Sequence, residues 1–388
     1  MEFEDVSRIG VMGAGTMGHG IAEIAALAGY EVHLRDIERD LVEAGYDQIE
    51  WSLEKLVDGG HVSSGDMRTA LDGIDLYVDL ETAVAEVDVV IEAVPEREDI
   101  KRDLFESLEE TAPERAIFTT NTSSLSVSDI AAVTDRPGQF CGMHFFNPPV
   151  RMDLVEVVRG AETSARTIGL VESLAEDFGK TPVRVRKDTP GFVVNRVLIP
   201  MLNEAAWTVF HDEETMDTVD STAKYELGLP MGAFELADLI GIDVVLDILE
   251  YMEAVLGSAY TPCPLLYDVA EAGTYGKKSG SGFYDYDDGG VEIPKTAGSG
   301  ELADRLRAVM ANEVAKLVEA DVVDPPDIDL AMGLGAGFPR GPATMADERG
   351  IGTLYSILLE RMDSTGADRY EPADLLASLG EPGETFSD

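Results

Sequence analysis

Two periodicities alternate along the first part of the chain. Within residues 7–36 (SRIGVMGAGTMGHGIAEIAALAGYEVHLRD) a short apolar run leads into a glycine cluster, a helical pattern follows, and a second apolar run ends at Asp36. Short apolar runs bounded by turn residues and alternating with helical segments predict buried parallel strands joined by helical crossovers. The rhythm continues with apolar runs at 87–94 and 116–120, separated by a helical stretch at 99–110, and with a further strand at 139–143. Residues 38–72 interrupt it as a long helical excursion of mixed charge. Asn147-Pro148-Pro149 stops the last of these strands, because neither proline can donate to a ladder, and residues 151–158 alternate toward their end like a returning strand. The fold class predicted is α/β: a doubly wound parallel sheet over residues 1–187, then an all-α region.

The all-α region carries a repeat. Asn203, Asp220, Gly228, Gly232, Asp238 and Gly241 recur as Asn312, Asp329, Gly337, Gly341, Asp347 and Gly350, every pair offset by 109 residues without a gap. Such self-similarity predicts two copies of one helical domain, residues 188–290 and 297–388. Between them, 287–300 (DDGGVEIPKTAGSG) has the Gly, Pro and acidic content of a linker.

Composition narrows the class. With 388 residues and 45% apolar content the chain can build two or three cores. The formal net charge is −46, from 75 acidic and 29 basic residues spread along the whole chain. Self-repulsion on that scale destabilises a compact state in dilute buffer and excludes nucleic acid as a partner. At molar salt the Debye length falls to about 3 Å, so the acidity reads as an adaptation of a haloarchaeal type of protein to a halophilic cytoplasm. The basic residues, 9 Lys against 20 Arg, lean the same way. Two cysteines give no disulfide framework, and five scattered histidines give no metal site. No apolar run approaches the roughly 18 residues of a spanning helix, and MEFEDVSR has acids where a signal peptide needs bases. A cytoplasmic protein with no membrane association is expected.

The glycine cluster has a specific form. Gly13, Gly15 and Gly18 make G-x-G-x-x-G directly after the first strand, with Thr16 and Met17 inside the loop. The first glycine allows the tight turn, the second lets backbone approach a pyrophosphate, and the third lets helix pack on strand. Phosphates then face the free N–H groups of a helix N-terminus. Asp36, 18 residues after Gly18, ends the second strand, where a carboxylate accepts from ribose hydroxyls and repels a 2′-phosphate. This is a Rossmann-like dinucleotide site with NAD favoured over NADP, although Arg35 beside Asp36 could accommodate a phosphate.

Asn121-Thr122-Ser123-Ser124 and His144 each follow a strand, so both should open onto the crevice beyond the strands' carboxyl ends. Glu156 lies among Val155, Val157 and Val158, a poor place for a solvated acid, and needs a buried partner. His144 is the candidate: a carboxylate on one imidazole nitrogen fixes the tautomer and leaves the other nitrogen to exchange a proton with a substrate hydroxyl.

These segments, MHFFNPP at 143–149 and LVEVV at 154–158, together with DTPGFVVNR at 188–196, GLPMGAFELADLIG at 228–241 and GKKSGSGFYDY at 276–286, resemble the L-3-hydroxyacyl-CoA dehydrogenase family in order over about three quarters of the chain. The resemblance implies reversible, NAD-dependent oxidation of an L-3-hydroxyacyl-CoA to the 3-ketoacyl-CoA, a step of fatty-acid β-oxidation. It implies His144 as catalytic base, Glu156 as its paired acid, and Ser123 and Asn195 as hydrogen-bonding groups near the reacting oxygen. Glu96, Lys101, Asn147 and Lys278 match positions lining the dinucleotide. In the second helical copy Gly300 and Asp304 stand opposite Gly191 and Asn195, and the PGFVVNR motif is absent, so its substrate contact is lost. A chain with two copies can cover its own apolar helix faces, which makes a monomer with an internal pseudo-dimer the expected assembly and a homodimer the alternative. A dehydrogenase of a free hydroxy acid such as L-gulonate or carnitine, with the same His–Glu pair, is the second functional reading. A non-catalytic relative, as in lens crystallins, is the third. Acyl-CoA is the expected partner.

Overall fold

The computed structural model describes residues 2–286, 289, 291–380 and 384–387, and the chain divides into two compact units, Met1–Thr189 and Pro190–Asp388. The first unit is built on one eight-stranded sheet. Its strands are β1 (Arg8–Met12), β2 (Glu31–Arg35), β3 (Ile74–Tyr77), β4 (Val89–Glu92), β5 (Ile117–Thr120), β6 (Phe140–Phe145), β7 (Leu154–Val158) and β8 (Thr181–Val185), in the spatial order β3-β2-β1-β4-β5-β6-β7-β8. The first six are parallel, as the crossover pattern requires. β7 turns back antiparallel to β6, and β8 runs parallel to β7, so the sheet is mixed and not wholly parallel.

The helices of this unit are α1 (Gly18–Leu27), α2 (Arg39–Asp58), α3 (Ser64–Asp72), α4 (Leu80–Val84), α5 (Glu98–Thr111), α6 (Val127–Ala131) and α7 (Ala165–Asp177). The excursion at 38–72 is the pair α2 and α3, and the helix expected at 99–110 is α5. Strand alternation divides the core. Ile117 and Cys141 share one apolar cluster with Ile21 of α1, Ile49 of α2 and Leu174 of α7. Their neighbours Phe118 and Phe140 instead meet Phe105 of α5, at centroid distances of 5.7 and 4.6 Å. Phe105 is fully buried there, so truncating it to alanine should cost about 3–5 kcal/mol. Strands β3 and β8 were not legible as apolar runs: β3 (IDLY) is a four-residue edge strand and β8 (TPVRV) carries a proline and an arginine.

The second unit begins two residues after the expected boundary, at Pro190, and the two expected helical domains fall within it together. It comprises α8 (Val194–Phe210), α9 (Met216–Ser221), α10 (Ala233–Ile240), α11 (Ile242–Leu256), α12 (Pro264–Glu271), α13 (Gly300–Glu319), α14 (Pro325–Ala336), α15 (Pro342–Arg349), α16 (Ile351–Thr365) and α17 (Asp374–Leu379). Polar side chains fix the joints, buried at Asp220, Asn203 and Asn312 and partly exposed at Asp329. Asp220 accepts from Phe234 N (2.7 Å) and Glu235 N (3.2 Å) at the start of α10, and Asp329 accepts from Ala343 N (2.8 Å) and Thr344 N (2.9 Å) at the start of α15. Asn203 donates to Thr261 O and accepts from Cys263 N; Asn312 donates to Glu371 O and accepts from Ala373 N. Of the linker expected at 287–300, Asp287, Asp288 and Gly290 lie outside the described residues. Among the described residues, no helix is long and apolar enough to cross a membrane.

Candidate active site

The order of the sheet reverses at β1, flanked by β2 on one side and β4 on the other, and the glycine loop leaves β1 at that point. Gly13 has φ +105°, and a Cβ there would lie 2.5 Å from Ala93 O, in the turn after β4. A Cβ on Gly18 would lie 1.8 Å from Gly13 O, so only glycine lets α1 start so close to the turn. Gly15 differs: a Cβ there would meet nothing within 4 Å. That open face above the N-terminus of α1 is where an anionic phosphate fits. Asp36 closes the loop from the end of β2, accepting from Ala14 N (2.7 Å) and Ile37 N (2.7 Å). Arg35, by contrast, donates from Nε to Val78 O (2.9 Å), beyond β3. The residues present therefore fit a dinucleotide. Gly20 was not singled out in the sequence, yet its Cβ position is 3.1 Å from Pro149, so the Asn147–Pro149 turn packs onto α1 near the loop, with Asn147 itself exposed.

His144 and Glu156 meet as expected. They are register partners on β6 and β7, and His144 Nδ1 is 2.7 Å from Glu156 Oε2. Glu156 is 0% exposed and His144 5%. The end of β6, one residue after His144, is tied to the neighbouring loop by Asn121, whose Oδ1 accepts from Phe145 N (2.8 Å).

Lys101 is enclosed while Glu96 is partly exposed, and both are held by neighbouring groups. Glu96 Oε1 accepts from Thr122 Oγ1 (2.6 Å), Ser123 N (2.8 Å) and Ser124 N (3.1 Å), holding the loop that carries Ser123. Lys101, 1% exposed, sits between Glu92 Oε1 (2.7 Å) and Glu96 Oε2 (3.2 Å). Burial lowers a lysine, but the charges of Glu92 and Glu96 outweigh it and raise the ammonium above its ordinary value. Burial likewise pushes Glu96 up, and the charge of Lys101 with the hydrogen bonds from Thr122 and Ser123 brings it below the usual range. Glu92 is a residue the sequence reading missed, although an acid inside VVIEAV carries the same signal that singled out Glu156.

Asn195 and Lys278 belong to the second unit. Asn195 lies in the first turn of α8, and Lys278 Nζ pairs with Asp243 (2.6 Å). Among the described residues one group of possible metal ligands comes together, Glu31, His33 and Asp75, at the other end of β2 from Asp36. There Arg8 Nε already pairs with Glu31 at 2.9 Å.

With this geometry in place the comparisons decide the family. The model of the 3-hydroxyacyl-CoA dehydrogenase NAD binding domain matches residues 8–189, and that of the 3-hydroxyacyl-CoA dehydrogenase C-terminal domain matches residues 191–286 and 300–386. The chain belongs to the 3-hydroxyacyl-CoA dehydrogenase family. It is 43% identical over 285 residues to a probable 3-hydroxybutyryl-CoA dehydrogenase of Bacillus subtilis, covering 73% of this chain and 99% of that one. A crystal structure of 3-hydroxybutyryl-CoA dehydrogenase from Escherichia coli superposes with a TM-score of 0.89 at 29% identity, covering 96% of this chain and 98% of that one. The fatty acid oxidation complex subunit alpha of Idiomarina loihiensis is 34% identical over 410 residues, covering 99% of this chain and 56% of that one.

Proposed function

We propose that this dehydrogenase oxidises an L-3-hydroxyacyl-CoA to the 3-ketoacyl-CoA, with NAD as its cofactor and His144 as general base. The observation that carries the reading is the 2.7 Å contact between His144 Nδ1 and the buried Glu156, within a family of this activity. When bound, NAD accepts the hydride from C3. Glu156 holds the ring in the tautomer that presents Nε2, and Nε2 takes the 3-hydroxyl proton. The imidazolium so formed lies against a carboxylate, which stabilises it and, in reverse, keeps the ring ready to protonate the oxygen. Ser123 is assigned to the reacting oxygen, and Glu96 fixes the backbone that carries it. Gly13, Gly15, Thr16, Met17, Gly18 and Asp36 are assigned to the dinucleotide; Asn195, Asn147 and Lys278 take the roles implied by their motifs.

Short-chain substrates are favoured by the names of the relatives, and 3-hydroxybutyryl-CoA is the first to test. Initial rates in molar KCl with C4 to C16 L-3-hydroxyacyl-CoA and with NAD or NADP test the reading. Saturation by free 3-hydroxybutyrate, with no rate on the CoA ester, would instead support the hydroxy-acid reading.

Residues 188–290 and 297–388 are read as two copies of one domain that act as partners within the chain, and the surface as halophilic. Support for the copies is the recurrence of the Asp220, Asn203 and Asp238 hydrogen bonds at Asp329, Asn312 and Asp347. Light scattering at high salt is expected to give a monomer; a dimer joined through the first copy would exclude an internal partner.

A further inference from the structure

On the face of the sheet that turns away from the apolar cluster of α1 and α2, strands β2 and β3 bring an imidazole together with two carboxylates. His33 and Asp75 are register partners, and Glu31 stands two residues before His33 on the same face. Their ligand atoms all lie within 4.8 Å of one another. His33 is 5% exposed, and its ring packs on Tyr77 with centroids 4.8 Å apart. Its Nδ1 lies 2.7 Å from Ala83 O; a carbonyl only accepts, so Nδ1 carries the proton and Nε2 of the neutral ring presents a lone pair. That lone pair faces Glu31 Oε1 at 3.4 Å, a carboxylate oxygen with no proton to offer it. An imidazole tied to a backbone carbonyl through one nitrogen, with the other aimed at carboxylates, is the arrangement by which proteins orient a metal ligand.

We propose that Glu31, His33 and Asp75 hold one divalent cation of the zinc and cobalt type, which clamps the edge strand β3 to β2. Imidazole with carboxylates suits such ions. With bonds of about 2.0–2.2 Å, the ligand atoms of a tetrahedral site stand roughly 3.4 Å apart. Nε2 and Oε1 already have that separation. Asp75 is exposed and makes no hydrogen bond or ion pair among the described residues, so its carboxylate is at liberty to turn toward them. Arg8 leaves part of Glu31 available: its Nη2 donates to Oε2 at 3.0 Å, whereas its Nε, 2.9 Å from Oε1, makes no hydrogen bond. Glu86 accepts from Arg8 as well, so Glu31, Asp75 and Glu86 against one guanidinium leave two negative charges to meet a doubly charged ion. The strand that gains is the one that needs it, because β3 has four residues and pairs with β2 alone.

The test uses the full chain, stripped with a chelator and kept in molar KCl so that the surface acids are screened. Wild type, His33→Gln and Asp75→Asn are titrated with ZnCl₂, CoCl₂ and MgCl₂ by calorimetry and followed by thermal unfolding. The wild type is expected to take one Zn²⁺ per chain, at least about tenfold more tightly than Mg²⁺, which prefers oxygen ligands and gives up its water reluctantly. At a hundredfold excess of Zn²⁺ over its Kd the melting temperature should rise by about 5 °C. Either substitution should weaken Zn²⁺ at least about tenfold, and the visible spectrum of bound Co²⁺ should change in His33→Gln, whose nitrogen ligand is gone. If His33→Gln does not fold, Asp75→Asn, at an exposed position, carries the same comparison. Zn²⁺ bound no better than Mg²⁺, bound equally well by wild type and Asp75→Asn, or not bound at all, would overturn the inference, the first two because they are what a uniformly acidic surface gives. These readouts do not depend on whether the chain turns over an acyl-CoA.

Discussion

His144 and Glu156 are directly opposed residues on neighbouring antiparallel strands, and the backbone register alone brings Nδ1 to 2.7 Å from Oε2. Two rotamers on two strands fix the pair, and no loop has to close for it to form. The geometry is therefore preorganised in the free protein, which makes its loss measurable as chemistry and not as folding. Glu156→Gln keeps the shape and removes the charge that favours the imidazolium. It is expected to lower kcat by about 10²–10⁴, the usual worth of general acid–base help, while the Kd of NADH stays unchanged. Fluorescence titration and initial rates on the same sample check this, and an unaltered kcat would remove Glu156 from the mechanism.

The glycine loop yields a contrast between two alanine substitutions. Gly15 has no positive φ and open space where a Cβ would stand, so Gly15→Ala should leave the melting temperature unchanged or slightly raised. It should weaken NAD binding, because the methyl group fills the approach to the pyrophosphate. Gly18→Ala would drive a Cβ into Gly13 O at 1.8 Å, and backbone must move. A destabilisation of about 1–3 kcal/mol or more is expected there, read by urea unfolding without any ligand. Equal stability for the two variants would contradict the close approach of α1 to its turn.

How much of this could be read in the sequence depended on whether a signal was local. The glycine spacing, the strand end at Asn121 and the acid stranded among valines at Glu156 each lie within a few residues and were placed as expected, whereas His144, expected just beyond a strand, lies inside β6. Glu92 carried the same local signal and was passed over, because an acid at the end of a strand also suits a loop. Lys101 was assigned to the dinucleotide by its motif; its pairing with Glu92 runs from a helix back to the end of a strand, and no periodicity announces such a contact. The edge strand β3 escaped for a related reason: IDLY is short and half polar, and pairing with β2 makes it a strand.

Glu23 was equally silent, since a glutamate in a helix is ordinary. In the structure it is 0% exposed in α1, with Oε1 accepting from Ser52 Oγ (2.9 Å) and Oε2 without a partner among the described residues. Burial, only partly offset by Ser52, pushes its carboxyl from 4.5 up to about 7. The folded chain thus holds this proton where the unfolded chain has released it. The stabilisation is complete below pH 4.5, falls as pH rises, and is gone above about 7, an effect on the order of 3 kcal/mol. Asp220, raised by burial to about 6, adds in the same direction. Urea unfolding between pH 5 and 8 should show the decline, and Glu23→Gln should flatten it. A slope identical in the variant would show that Glu23 is solvated or paired.

The formal charge of −46 predicts that salt stabilises the fold. Raising KCl from about 0.1 M to 1 M shortens the Debye length from about 10 Å to 3 Å, which removes most repulsion between surface acids. The melting temperature should climb steadily over that range. A flat or falling curve would mean that the acids are already neutralised in pairs, and the halophilic reading would go with it.

The second unit makes a sharper prediction about its two halves. Arg196 of α8 donates from Nε to Glu313 of α13 (2.7 Å), while Arg305 of α13 pairs with Glu204 of α8. Arg196 also donates to Tyr260 Oη and Arg305 to Tyr370 Oη, each at 2.7 Å. Each half thus supplies the arginine that the other half's glutamate needs, in the reciprocal way that two-fold related subunits exchange contacts. Arg196 is 7% and Glu313 3% exposed, so removing one partner strands a buried charge, although Lys316 relieves part of it at 2.7 Å. Arg196→Met is expected to cost up to about 3–5 kcal/mol. Arg196→Met with Glu313→Leu should recover a good part of that, because the stranded charge is gone. Chemical unfolding of the two single variants and the double variant measures the coupling. If the double variant loses the sum of the singles, the pair does not couple, and the exchange between the halves carries no stability.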